Sequence, residues 1–231
     1  MSLDKLDAAL KSLDGWPNKI GIIGGEPTLH PQFSEVCALI RDRCAGRFVQ
    51  LWTCGGTAYE RYREEISATF AAVAFNDHSD PACRHQQITI ASCDAVPNPQ
   101  RRAELIRDCW VARLWCPSIG PKGAFFCEVA CALDMLLDGP GGWPIEPGWW
   151  QREPKAYEDQ LWTCQLCGMP VPMKTRPLTD GYESVSPTVY SKLQEHDCSR
   201  LDICKVVDLD AATEMVQPSE NWTPHKYRPG V

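Results

Sequence analysis

The sequence predicts an α/β fold: a parallel sheet covered by helices, open or partly closed as a barrel, with a loop-rich C-terminal region after it. Three observations predict this. Short β-branched or apolar runs alternate with helically spaced apolar residues over roughly the first hundred positions. The first two runs end in Gly24-Gly25 and Gly55-Gly56, where a strand must hand over to a helix. Ten of the 19 prolines then fall between Pro117 and Pro187, and periodicity thins there.

The elements follow in order. Leu3, Leu6, Leu10 and Leu13 recur at a helical period, which predicts a helix over 3–13, closed by a Gly-Trp-Pro turn. Residues 19–23 read as a buried strand. Residues 31–44 read as a helix carrying Phe33, Val36, Cys37, Ile40 and Cys44 on one side. A second strand is predicted at 48–53, a helix at 60–69, and strands at 72–75 and 87–91. In the second half one helix is predicted, at 124–137. The tail from 217 has little periodicity and reads as extended.

Composition excludes several functions. Twenty-three basic against 30 acidic residues give a net charge of −7, which argues against a nucleic-acid partner. No apolar run approaches the roughly 18–20 residues that span a bilayer, so no membrane partner is expected. The N-terminus lacks a secretory apolar core. Thirteen cysteines, an odd number, therefore point to a reducing cytoplasmic setting and to metal, redox chemistry or packed thiols rather than a disulfide framework.

Gly24-Gly25-Glu26-Pro27 lies between a predicted strand and a predicted helix. Two glycines admit close backbone approach, Glu26 offers an anion for an ammonium group, and Pro27 fixes the turn. The plain alternative is a turn capped by Thr28. The longer string IGIIGGEPTLHPQF resembles the second strand and following loop of radical S-adenosylmethionine enzymes, and Leu51-Trp52-Thr53-Cys54-Gly55 resembles their next strand end, with Cys54 where the family has Asn. The resemblance covers residues 1–115. It implies an incomplete, partial TIM-like radical S-adenosylmethionine barrel in which Gly24, Gly25, Glu26 and Pro27 receive the amino group of the cofactor's methionine. Asn76 would meet its ribose. The family's CxxxCxxC loop, which holds the catalytic [4Fe–4S] cluster, is absent: no cysteine precedes Cys37. The chain is accordingly expected to be a fragment or degenerate member, with at most residual cofactor binding and no catalytic residue assignable.

Cys164 and Cys167 form the one CxxC pair, a knuckle able to grip a metal. With Cys109 before a glycine-containing hairpin and Cys127 after it, the pattern resembles the SPASM or twitch extension of the same family, although the Gly123–Cys127 gap is one residue short. The resemblance implies one auxiliary [4Fe–4S] cluster on Cys109, Cys127, Cys164 and Cys167, with Cys116 as rival for the first position, in a domain spanning 116–216. A Cys₄ zinc site is the alternative, within a non-catalytic scaffold or accessory protein. Full-length relatives would cut S-adenosylmethionine to a 5′-deoxyadenosyl radical and abstract a substrate hydrogen, drawing electrons from a reductant such as ferredoxin or flavodoxin. The substrate class, whether peptide, sugar or small molecule, is open.

The remaining candidates read more plainly. Cys131, Cys37 and Cys44 are expected to be packed thiols. Cys54, Cys83 and Cys93 lie near strand ends. Asp77, His78 and His85 follow the strand at 72–75 in what reads as a polar loop. Trp143, Trp149 and Trp150 would cap a cluster or, more plainly, pack a small core.

Overall fold

A computed structural model describes residues 1–76, 84–113, 117–173 and 175–209. The chain divides into two compact units. Residues 1–76 with 145–150 form the first, and residues 84–144 with 151–209 form the second. Residues 84–113, grouped by sequence with the first domain, thus belong to the second unit.

The first unit is built on three parallel strands. Helix α1 (Leu3–Ser12) starts at Ser2, whose hydroxyl accepts from the Lys5 N–H. Strand β1 (Ile20–Ile22) follows, then α2 (Phe33–Arg43), β2 (Val49–Thr53), two short helices α3 (Thr57–Arg61) and α4 (Arg63–Thr69), and β3 (Ala72–Phe75). The central strand β2 pairs in parallel with β1 on one side and β3 on the other. Along β2, Val49, Leu51 and Thr53 are buried, the period-two alternation of a strand with one covered face. Phe33, Val36, Cys37 and Ile40 on α2 and Ile66 on α4 complete this core, and α1 adds Leu10. The predicted helix at 60–69 is interrupted at Tyr62, where the backbone leaves the helical region. Among the described residues this sheet has three strands and is open. Trp149 and Trp150 belong here: both indole N–H groups donate to Ser12, and Trp150 meets Trp16 edge-on at 5.3 Å.

The second unit holds short ladders and helices. Strand β4 (Arg84–His85) is followed by α5 (Ser92–Ala95), α6 (Pro99–Arg107), α7 (Trp110–Arg113), the β5–β6 hairpin (Ser118–Gly120 and Gly123–Phe125) and α8 (Glu128–Leu136). Then come α9 (Trp162–Gln165), β7 (Arg176–Pro177), β8 (Glu183–Val185), α10 (Pro187–Glu195) and β9 (Cys204–Val206). β7 runs antiparallel to β4, and β8 parallel to β9.

Two expectations change here. The apolar run 87–91 forms no strand: the Ile88 and Ile90 amides bond locally, to Gln86 and Gln87, the Ala91 amide donates to the Ser186 hydroxyl, and the Ile88 and Thr89 carbonyls accept from the Gly168 and Ser186 amides. Gln87, Ile90 and Ala91 are buried without a ladder, while Ile88 stays exposed. The helix expected from 124 starts only at Glu128, because Ala124 is committed to β6 and to a bridge with Trp143. Gly123 stands at φ +128, and a Cβ there would lie 2.6 Å from the Trp143 carbonyl oxygen, so the hairpin requires glycine.

Gly168 is constrained differently. Its backbone lies against residues 87–90, where an added Cβ would collide with the Gln87 carbonyl and stand 2.9 Å from that of Ile90. Both obstacles are backbone and cannot swing aside. Gly168→Ala is expected to destabilise the second unit by roughly 1–3 kcal/mol or more, the cost of overpacking a tight contact. Urea unfolding followed by tryptophan fluorescence reads this as a lower midpoint.

Candidate functional site

The first candidate lies at the C-terminal ends of the three parallel strands. Gly24 (φ +125) and Gly25 (φ +43) occupy backbone regions that favour glycine. They deliver Glu26 to the start of a single 3₁₀ turn, Pro27–Leu29. Its carboxylate is saturated with donors. Oε1 accepts from the Thr28 N–H at 3.1 Å, the Thr28 hydroxyl at 2.7 Å and the Thr53 hydroxyl at 2.8 Å. Oε2 accepts from the Thr53 hydroxyl at 2.9 Å, the Cys54 N–H at 2.8 Å and the Cys54 thiol at 2.9 Å. Glu26 thereby ties the end of β1 to the end of β2.

Partial burial works against the ionised carboxyl. The donors outweigh it, chiefly the Cys54 thiol and the Thr28 hydroxyl together with the two backbone N–H groups, and hold Glu26 down to about 2. The same bond pushes the Cys54 thiol up, with burial adding to it, so this exposed cysteine is a neutral thiol near pH 7. Asn76 follows β3, its N–H donating to the Thr53 carbonyl. Gly24, Gly25, Glu26, Pro27 and Asn76 therefore gather at one sheet edge. Large apolar side chains there stay open to solvent: Leu29 is 71% exposed and Phe75 58%, with Tyr59 edge-on to Phe75 at 5.1 Å. Sequence reasoning missed this rim, because exposure is not visible in an apolar letter.

The second candidate is a group of thiols in the second unit. Cys109 follows α6, Cys127 is the residue before α8, Cys164 lies in α9 and Cys167 just beyond it. Burial pushes the Cys127 and Cys164 thiols up to about 12, and raises Cys167 well above the ordinary thiol value. The four also sense one another. Charge on Cys109 acts on Cys127, Cys164 and Cys167, and charge on Cys127 and Cys164 acts on Cys167. Partial compensation comes from backbone: the Ala130 and Val129 amides favour the Cys127 thiolate, and the Met169 N–H donates to the Cys167 sulfur at 3.4 Å.

Named scaffold residues place these sulfurs. The buried Gln160 amide accepts from the Phe126 N–H at 3.2 Å and donates to the Ala124 carbonyl at 3.0 Å, fixing the strand that leads into Cys127. The Ser92 hydroxyl donates to the Cys164 and Gln165 carbonyls, and Arg102 donates to the Gln165 side chain at 2.7 Å. Among the described residues, no three His, Cys, Asp or Glu side chains stand at the spacing of a single bound metal ion.

The other candidates fall elsewhere. Cys131 turns its sulfur against Gly120. Cys37 and Cys44 are buried in the core of the first unit. Cys93, Cys198 and Cys204 flank a small apolar core around Val189 and Leu193. Trp143 packs on Tyr157 at 5.0 Å and beneath Arg152. His85 lies in β4. The rival Cys116, together with Asp77, His78, Cys83 and the tail from 217, lies outside the described residues.

No family model matches the chain, and no curated protein matches its sequence. No described helix is long and apolar enough to cross a membrane.

The Glu26 nest has a pH signature. The carboxyl falls from an ordinary 4.5 to about 2 on folding, so its contribution to stability is complete above about pH 4.5 and disappears as pH falls through about 2. Glu26→Gln should lower the urea midpoint at pH 7 and flatten its decline between pH 4.5 and 2 relative to wild type. Parallel curves for the two proteins would place the low carboxyl pKa elsewhere.

Proposed function

We propose that this chain is a radical S-adenosylmethionine-like iron–sulfur protein that holds one auxiliary [4Fe–4S] cluster on Cys109, Cys127, Cys164 and Cys167. The observation that carries this reading is the placement of the four cysteines in one unit, on three separate stretches of chain, with burial holding the thiols of Cys127, Cys164 and Cys167 neutral. The donor set fits the group. Thiolates are the ligands such clusters take, and a cationic metal core compensates the charge that burial penalises. When bound, the cluster supplies one-electron chemistry or an iron face toward substrate. The protein's part is to present the sulfurs, exclude water from Cys127 and Cys167, and hold backbone N–H groups toward these two. A cytoplasmic setting, where thiols stay reduced, suits this use.

The Gly24–Pro27 loop is proposed as a residual site for the methionine amino group of S-adenosylmethionine. Glu26 is ionised and reachable, but its acceptor positions are filled. An incoming ammonium would displace the Cys54 thiol, the weakest of its donors. The sequence contains no CxxxCxxC, so the radical-generating cluster is no part of the proposal for these 231 residues.

Anaerobic reconstitution with iron and sulfide tests the cluster. The expected result is iron and sulfide in equal amounts, about four of each per chain, with the charge-transfer absorbance lost in Cys164→Ala and in Cys167→Ala. Stoichiometric zinc without sulfide would replace the cluster with the Cys₄ zinc scaffold. Unchanged absorbance in both variants would move the ligands elsewhere.

A further inference from the structure

The second unit contains a pocket of 360 Å³ whose lining includes none of the four cysteines. It is formed where the β4–β7 ladder meets the β8–β9 ladder, and Arg176, Tyr182, Ser184, Lys205, Gln87 and Thr175 supply its polar lining. Between β7 and β8 the chain reverses through a 3₁₀ turn and Gly181, which adopts the left-handed conformation. That reversal brings Tyr182 back beside Arg176.

Arg176 is 7% exposed, an unusual place for a guanidinium. Its Nη2 donates to Glu183 at 3.1 Å. Its Nε and Nη1 are buried and have no hydrogen-bond partner among the described residues. Asp180 stands 3.9 Å from Nη1, an ion pair too long to be a hydrogen bond. Both carboxylates reach the guanidinium from the solvent side, with Glu183 46% and Asp180 30% exposed. Unpaired buried donors on a cation are costly and require an acceptor.

A second cation is aimed at the same place. The Lys205 ammonium stands 3.7 Å from the centre of the Tyr182 ring, and the Arg176 guanidinium carbon 4.5 Å from it. Glu183 and Asp180 stand beside Arg176, and Lys205 brings a further positive charge to the same ring. The pocket has the volume of a small-molecule site, for which about 300 Å³ is the lower bound, and the hydroxyl-bearing residues Thr175, Tyr182 and Ser184 line it.

We propose that this pocket binds a small oxyanion-bearing ligand, a compact phosphate or carboxylate, held by the unpaired donors of Arg176 and by Lys205. The site extends beyond the cluster reading and does not depend on it.

Calorimetric titration of the full chain with inorganic phosphate, and separately with acetate, tests the site. Saturable one-to-one binding of at least one anion is expected, and the tighter one identifies the ligand's charged group. Lys205→Met should weaken binding about tenfold, the loss of one charge-assisted contact, and Lys205→Arg should restore most of it. Arg176→Met should abolish it. Lys205 is exposed, so its variants keep the folded circular-dichroism spectrum and carry the test even if Arg176→Met unfolds. Absence of saturable binding by both anions overturns the proposal, as does binding whose affinity Lys205→Met leaves unchanged.

Discussion

A side chain cannot be accommodated at Gly168, and much of the second unit follows from that. The Gly168 N–H donates to Ile88 at 2.8 Å while the Gln87 and Ile90 carbonyls close on its α-carbon. This backbone contact seats the Cys164–Cys167 knuckle against residues 86–95. Ser92 then ties down the carbonyls of Cys164 and Gln165, and Arg102 reaches from α6 to Gln165. On another side Gln160 holds the β6 strand that ends at Cys127. Hydrogen bonds among backbone, amide and guanidinium groups thus fix the segments that carry Cys127, Cys164 and Cys167.

Burial of these cysteines has an electrostatic consequence. A buried neutral thiol is an unexceptional small hydrophobe. The same group as a thiolate is strongly opposed, which is why Cys127 and Cys164 rise to about 12. Charge on Cys109 opposes ionisation of these thiols further, and charge on Cys127 and Cys164 does the same at Cys167. Only a cationic centre reverses this, by making deprotonation of all four favourable at once. On the proposed reading, burial that keeps the thiols neutral would make their ionisation depend on a bound metal.

Long periodic stretches were legible in the sequence. Helices α1 and α2 and strands β2 and β3 stand within a few residues of where apolar spacing puts them, because one face of each is buried. Helix α6 was not legible by period, since none of its residues is buried. Its only local signal was Asn98-Pro99, and Asn98 does cap it by accepting from Arg101. The division of the chain near 80 rather than 115 was hidden for a related reason. Residues 84–113 join the second unit through Thr89, Ser92 and Arg102, contacts spanning 60 to 95 positions that leave no local pattern. The Cys spacing was enough to nominate four thiols. Gln160, which helps place one of them, carried no signal beyond not being cysteine.

In the first unit the same economy of donors acts on a carboxylate instead of thiols. Glu26 keeps its charge because every oxygen is met by a hydroxyl, an amide or a thiol, and in return it fastens the β1 loop to the end of β2. Cys54 is the variable member of that nest. A thiol is a poor donor, its bond to Glu26 is exposed, and holding that bond keeps the sulfur protonated. An ammonium can take its position with a charge-assisted bond roughly twice as strong as a neutral one. Thr28, buried and bonded to Oε1, and Thr53, buried and bonded to both carboxylate oxygens, would stay in place during that exchange. On the proposed reading the loop would hold its shape with or without a cationic ligand, and displacement of Cys54 would set how easily one enters.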